Sequence, residues 1–129
     1  MTDFDTSQFT KWVVAKLDTI EGLEVVLANP SGDSVFPCAV VSTPLIRVIR
    51  TENSTPVEII ISIQVDYWDS TKYSVMSLSD QANIKLREYN LTRVNTTIDL
   101  FDEITKKYRY GGNYEVKYNS ITNSYEIIK

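Results

Sequence analysis

The sequence predicts an α+β fold: a single domain with a largely antiparallel (mixed) sheet, a long β-hairpin, and two main helices packed on the sheet. Three observations carry this. The stretch Val57 to Trp68, VEIIISIQVDYW, alternates without a break. Two segments place apolar residues at helical spacing. The remaining alternating runs are joined by short turns, which favours an antiparallel sheet over a doubly wound parallel one.

The long strand comes first because the rest of the chain must pack around it. Val57, Ile59, Ile61, Ile63, Val65 and Tyr67 form one apolar row, and Glu58, Ile60, Ser62, Gln64, Asp66 and Trp68 form a mixed one. Such a strand is expected to be covered on one face and partly wet on the other. Twelve residues span about 40 Å, roughly twice an ordinary strand. Either the strand bends or part of it projects beyond the subunit, with a change from core to interface expected near Ile59.

In chain order, Phe9, Trp12, Val13, Lys16, Leu17 and Ile20 mark a helix over Ser7 to Thr19, with Thr6 or Ser7 as cap and Glu21-Gly22 as stop. Leu23 to Leu27 reads as a short strand, and Asn29-Pro30-Ser31-Gly32-Asp33 as a loop. Phe36-Pro37 opens a second strand, Cys38 to Ser42, and after Pro44 a third runs from Leu45 to Arg50. Residues Thr51 to Pro56 form a polar tip, which makes the third strand and the long strand one extended hairpin.

Ser74 or Ser70 can cap a second helix, in which Val75, Leu78, Ala82, Leu86 and Tyr89 share a face. That face should lie on the apolar row of the hairpin. Asn90 is placed to end the helix in a left-handed conformation. Beyond it, Val94 to Phe101 reads as a strand, with a turn at Asp102-Glu103 and a new strand from about Thr105. Leu100, Phe101, Ile104 and Tyr108 also fit a helical stripe, so a short helix over Asp99 to Lys107 stays open. Gly111-Gly112-Asn113 is either a tight turn or a bulge in one long strand, and Tyr125 to Ile128 is the last strand.

The 129 residues suffice for one domain with a real core, and 43% hydrophobic and 23% charged residues suit a folded protein. No apolar run approaches the ~20 residues of a membrane-spanning helix. The polar opening Met1 to Asp5 does not resemble a secretory signal, and a lone Cys38 suits a reducing compartment. A net charge of −4 with scattered Lys and Arg argues against a nucleic-acid grip.

The chain has no His, which removes the commonest general base and metal ligand. Cys38 falls in a predicted buried strand and reads as a small apolar side chain. Asp99, Asp102 and Glu103 form the densest carboxylate cluster, but without the spacing of a cation loop they read as a solvated turn. Asp66 and Asp69 flank Trp68 with no oxyanion donor nearby. Gly111-Gly112 lacks the third glycine of a dinucleotide loop. Tyr108, Tyr110, Tyr114, Tyr118 and Tyr125 interleave with Lys106, Lys107, Arg109 and Lys117. That pattern fits a half-buried sheet face, a protein interface, or a stacking platform for single-stranded nucleic acid. No catalytic, cofactor or metal residue is assigned.

Several stretches together carry a resemblance: the N-terminal helix, the Phe36-Pro37 opening, the hairpin ending in VDYWDSTK (Val65 to Lys72), the helix that follows, and the tail NLTRV, DLFDEITKKYRY and YEVKYN. The chain resembles the tail terminator (tail-completion, minor tail protein U-like) family of long-tailed bacteriophages. The resemblance implies a structural, non-enzymatic virion protein without cofactors, assembled in the host bacterial cytoplasm. It implies a hexameric ring on the major tail protein's tube that ends polymerisation and offers a docking surface to a head-completion or connector protein. DNA would pass through the lumen without sequence-specific binding, and no membrane is involved. On that reading Arg47, Arg50, Glu52, Asn53 and Glu58 are expected at the neighbour or tube interface, and Asp99, Asp102 and Glu103 along the lumen. Another head–tail neck component, or a small nucleic-acid-binding module, is the alternative.

Overall fold

The structure is a computed structural model and describes residues 3–31 and 33–128. Met1, Thr2, Lys129 and Gly32, the last within the expected loop, lie outside the described residues. The elements are α1 (Thr6–Leu17), β1 (Glu24–Val26), β2 (Cys38–Val41), β3 (Leu45–Glu52), β4 (Thr55–Asp69), α2 (Lys72–Leu86), a 3-10 turn (Arg87–Tyr89), β5 (Thr92–Asp102), β6 (Lys107–Asn119) and β7 (Ser124–Glu126). Seven strands form one mixed sheet, and both helices share one core with it.

Two long strands, β4 and β6, are paired antiparallel from Glu58↔Asn119 to Asp69↔Tyr108 and form the spine. Each carries two shorter strands in tandem on its other edge. On β4 these are β2, opposite Val65 to Trp68, and β3, opposite Thr55 to Ser62. On β6 they are β5 and then β7. β1 adds to β2 and is the parallel pair that makes the sheet mixed. This arrangement corrects the expectation that the long strand outruns its own core. Its length, about 50 Å for fifteen residues, is used inside the subunit. The apolar row is buried from Val57 through Tyr67, so no change from core to interface occurs near Ile59.

The helix-facing side of the sheet joins the Val57-to-Tyr67 row to Tyr114, Val116 and Tyr118 of β6, and to Ala39 and Val41 of β2. Phe9, Val13 and Leu17 of α1 and Val75, Leu78, Ala82 and Leu86 of α2 close over them. Their spacings of three and four put each set on one helical face. Burying one such aliphatic side chain stabilises the fold by about 1.5–3 kcal/mol. The five C-terminal tyrosines also turn to this side. Tyr114 and Tyr118 are buried, while Tyr108, Tyr110 and Tyr125 pack partly buried against the core. They form the expected half-buried sheet face rather than an open stacking platform.

The opposite side carries neither helix. Cys38, Val40 and Trp68 form a second small core under Val26 and Phe36, next to the cis Phe36-Pro37 bond. Toward the hairpin end Ile60 is also buried on this side, in a groove it shares with Ile49, Lys117, Ile127 and Ile128.

Local details differ from the expected boundaries. Asp5, not Thr6 or Ser7, caps α1, its carboxylate accepting from the Gln8 N–H at 2.9 Å. Thr71, not Ser70 or Ser74, caps α2; its hydroxyl accepts from the Ser74 N–H at 3.1 Å, while the Ser74 hydroxyl is drawn to Asp69. Asn90 does adopt the left-handed conformation, with φ 64°. The 99–107 segment is not a helix: β5 continues to Asp102 and β6 begins at Lys107. Gly111-Gly112 lies within unbroken β6, and the register shifts fall on β5, at Val94 and Thr97. A Cβ on Gly111 would collide with the Asp66 carboxylate and the Thr97 hydroxyl, so only glycine leaves room for them.

Candidate functional site

The candidate site is not a pocket but a pair of open strand edges on opposite sides of the sheet. Among the described residues β3 pairs only with β4 and β5 only with β6, and these are the long edge strands beside the three-residue β1 and β7. β3 and β5 therefore each present a row of unpaired backbone N–H and C=O groups, which is a template for another strand.

β3 is exposed along all eight residues. It nevertheless carries Leu45, Ile46, Val48 and Ile49, with Leu45 73% exposed. Ile46 and Val48 point to the helix side, opposite Ile61 and Ile59, but the helices do not reach them. An apolar groove of about 240 Å³ remains there, between Phe4, Ile46, Val48, Val57, Ile59 and Tyr118.

Arg47 and Arg50 point to the opposite side, where Arg50 pairs with Glu58 at 3.4 Å and with Glu52 at 2.7 Å. A chain of charges continues across the sheet, from Glu58 to Lys117 at 3.9 Å and from Lys117 to Glu126 at 3.8 Å. Arg47 has no hydrogen bond or ion pair among the described residues. Asn53 and Ser54 close the hairpin with φ of 51° and 65°, a two-residue turn with both central residues left-handed. The structure thus brings Arg47, Arg50, Glu52, Asn53 and Glu58 together on one hairpin.

β5 bears Val94, Leu100 and Phe101, all more than 40% exposed, and Ile104 at 80% tops the turn into β6. Asp99, Asp102 and Glu103 are close in sequence but have different surroundings. Asp99 faces Lys72 at 3.5 Å, and Glu103 pairs with Lys106 at 2.8 Å. Asp102 is the structural member. Its carboxylate accepts from the Thr105 hydroxyl at 2.8 Å, the Ile104 N–H at 3.2 Å and the Trp68 indole N–H at 3.3 Å. The Thr105 bond, helped by the Ile104 and Trp68 donors, holds its carboxyl below the usual range against some desolvation. Sequence reading missed this role, because Trp68 lies 34 residues away and only the β4–β6 register brings it near.

Two further polar clusters were not legible beforehand. On the side away from the helices, buried Asp66 accepts from Arg109 at 2.6 Å and from Gln64 at 2.9 Å, and the Arg109 guanidinium lies 4.7 Å from the Trp68 ring centre. Asp66 is thus held by a cation and does not pair with Asp69 for acid–base work. Under α2, the Tyr67 and Tyr114 hydroxyls meet at 2.9 Å, and Arg93 bridges Ser79 and Asp80 at 2.9 Å each. Burial pushes the Tyr67 phenol well up, reinforced by Tyr114, and burial also raises Tyr114. Cys38 is buried, and burial raises its thiol to about 11, with Glu24 and Asp69 adding to the shift.

Among the described residues, no three His, Cys, Asp or Glu side chains gather as a metal site requires, and no helix is long and apolar enough to cross a membrane. No protein-family model matches the chain, and no curated protein matches it.

Proposed function

We propose that this chain is a structural subunit of a long-tailed phage virion, a tail terminator. As a ring, expected to be hexameric, it caps the finished tail tube, stops its polymerisation and presents the surface to which the filled head docks. The observation that carries this reading is the pair of open, apolar strand edges on opposite sides of one sheet. A closed ring needs two different patches on every subunit, repeated around the axis, and two distinct edges supply them. The resemblance in Val65 to Lys72 and in the tail from Asn90 onward supports the same reading. With −4 charges per copy, a ring of these subunits repels DNA phosphate and lets it slide.

The test mixes purified protein with polymerising major tail protein and measures tube length by negative-stain microscopy. Tubes that stop growing and end in a ring support the reading. Unchanged tube length together with a strictly monomeric protein at high concentration overturns it. A ring that binds the portal side of the neck and leaves tubes unaffected replaces it with a head-completion role.

A further inference from the structure

We propose that the ring contact is strand addition between the β3 edge of one copy and the β5 edge of the next. The inference rests on the reading of the chain as a ring subunit and names the surfaces that join. Its basis is a match between two tetrapeptides on the open edges. β3 presents Arg47-Val48-Ile49-Arg50, and β5 presents Asp99-Leu100-Phe101-Asp102. Each has an apolar pair between two like charges, and the charges are opposite. β3 and β5 run in opposite directions within the sheet, because each step β3–β4–β6–β5 is antiparallel. A neighbour that keeps the same strand direction therefore meets β3 in antiparallel fashion, and the two tetrapeptides align head to tail.

Side-chain faces agree with this register. Arg47 lies on the side away from the helices, opposite Ile60, and Asp102 lies on that same side, opposite Lys107. Val48 lies on the helix side, opposite Ile59, as does Phe101, opposite Tyr108. Pairing Arg47 with Asp102 therefore pairs Val48 with Phe101, and carries Leu45 to the exposed Ile104. Within its own chain Asp102 is already engaged by Thr105, Ile104 and Trp68, so Arg47 would join an occupied carboxylate, on the side of Oδ1, which accepts only the Ile104 N–H among the bonds given above. Arg47 has no partner among the described residues. The irregularity at Ile49 keeps Arg50 on the face of Arg47, so Arg50 reaches Asp99 around the edge and not square-on. Ile46 opposite Glu103 is a second mismatched pair, and Glu103 and Ile104 lie just past the end of β5.

The register also fixes a stagger. Within one copy Arg47 is level with Lys117 of β6 and Asp102 with Lys107, an offset of ten residues along that strand, or about 33 Å. Successive copies can close into a flat ring only if the strands tilt to the axis, as in barrels. Without tilt the same contact propagates as a filament.

The test is a cysteine pair, Val48→Cys with Phe101→Cys, under mild oxidation, read as a ladder of cross-linked chains on a denaturing gel. Both positions are exposed, and far-ultraviolet circular dichroism checks the fold. Multimers from the double variant, and none from either single variant, are expected. Cross-linked dimers from Val48→Cys alone mean symmetric β3–β3 pairing and overturn the proposal. A second arm reverses charge. Arg47→Glu/Arg50→Glu should weaken assembly about a hundredfold, and adding Asp99→Arg in the same chain should recover part of it. If the wild type forms rings on tubes but none of these variants changes assembly, the edge contact is wrong and the terminator reading stands. If the edges cross-link into filaments that leave tube length unchanged, the edge contact stands and the terminator reading falls.

Discussion

β3 and β4 are the two arms of one hairpin, and both carry β-branched apolar residues, β3 at Ile46, Val48 and Ile49 and β4 along its apolar row from Val57 to Val65. β4 nonetheless buries its whole apolar row, Val57 through Tyr67, whereas no residue of β3 is buried. Side-chain chemistry alone does not account for this, because Leu45, Ile46, Val48 and Ile49 are exposed as well. β4 has β6 on one edge, β2 and β3 on the other, and two helices over one face, while β3 has a single neighbour and lies beyond the helices. A β-branched residue records that a position fits a pleated sheet. Whether that position is core or edge depends on how many neighbours the topology supplies.

The sharpest way to break this contrast is to put the same charge in both arms. Ile61→Asp places an unpaired carboxylate at a fully buried position and should destabilise the protein by more than about 4 kcal/mol, enough to unfold it. Val48→Asp on the exposed arm should stay within about 1 kcal/mol. Urea denaturation measures both, and a folded Ile61→Asp protein would mean the β4 row is not core.

Tyr114→Phe probes polar groups buried beneath the same central strands. It leaves the Tyr67 hydroxyl without its partner and should cost about 1–3 kcal/mol in the same assay. No loss of stability would mean that this buried pair contributes nothing to the core.

At the β5 edge the relevant group is Asp102. Its folded-state pKa is lowered, so its contribution to stability is present above the ordinary aspartate value and is lost as pH falls through the lowered one. Melting temperature should therefore fall between pH 5 and pH 2 by less in Asp102→Asn than in the wild type. Equal acid sensitivity would detach the turn from this carboxylate.

The smallest effect belongs to the turn that joins the compared arms. Ser54 sits at φ 65°, where glycine is unstrained, so Ser54→Gly should stabilise by about 0.5–1 kcal/mol in thermal melts. A loss of stability would show that the Ser54 side chain holds the hairpin in some other way.

Much of the fold was legible because it rests on local periodicity. The long strand was read as Val57 to Trp68 and observed as Thr55–Asp69; the helical stripe of Val75, Leu78, Ala82 and Leu86 is the buried face of α2; Asn90 ends that helical region left-handed. Caps were less legible, because Asp5 and Thr71 compete with several nearby Ser and Thr residues that fit the same pattern. The tail was ambiguous because Leu100, Phe101, Ile104 and Tyr108 satisfy both a helical and a strand period, and the β4–β6 ladder selected the strand. At the candidate site the charged residues were visible, but their groupings were not. Arg47 to Glu58 form one hairpin patch, while the Asp99, Asp102 and Glu103 carboxylates have separate partners, one of them Trp68 on a distant strand.

By itself, then, the sequence determined the alternating rows, the two amphipathic helices and the α+β class, since these follow from side-chain spacing along a single element. Only the tertiary structure decided that β2 and β3 share one edge of β4, that Gly111-Gly112 lies inside a strand, and that β3 and β5 are left open. Those outcomes depend on pairings between residues far apart in the chain. Spacing within one strand carries no record of its neighbours.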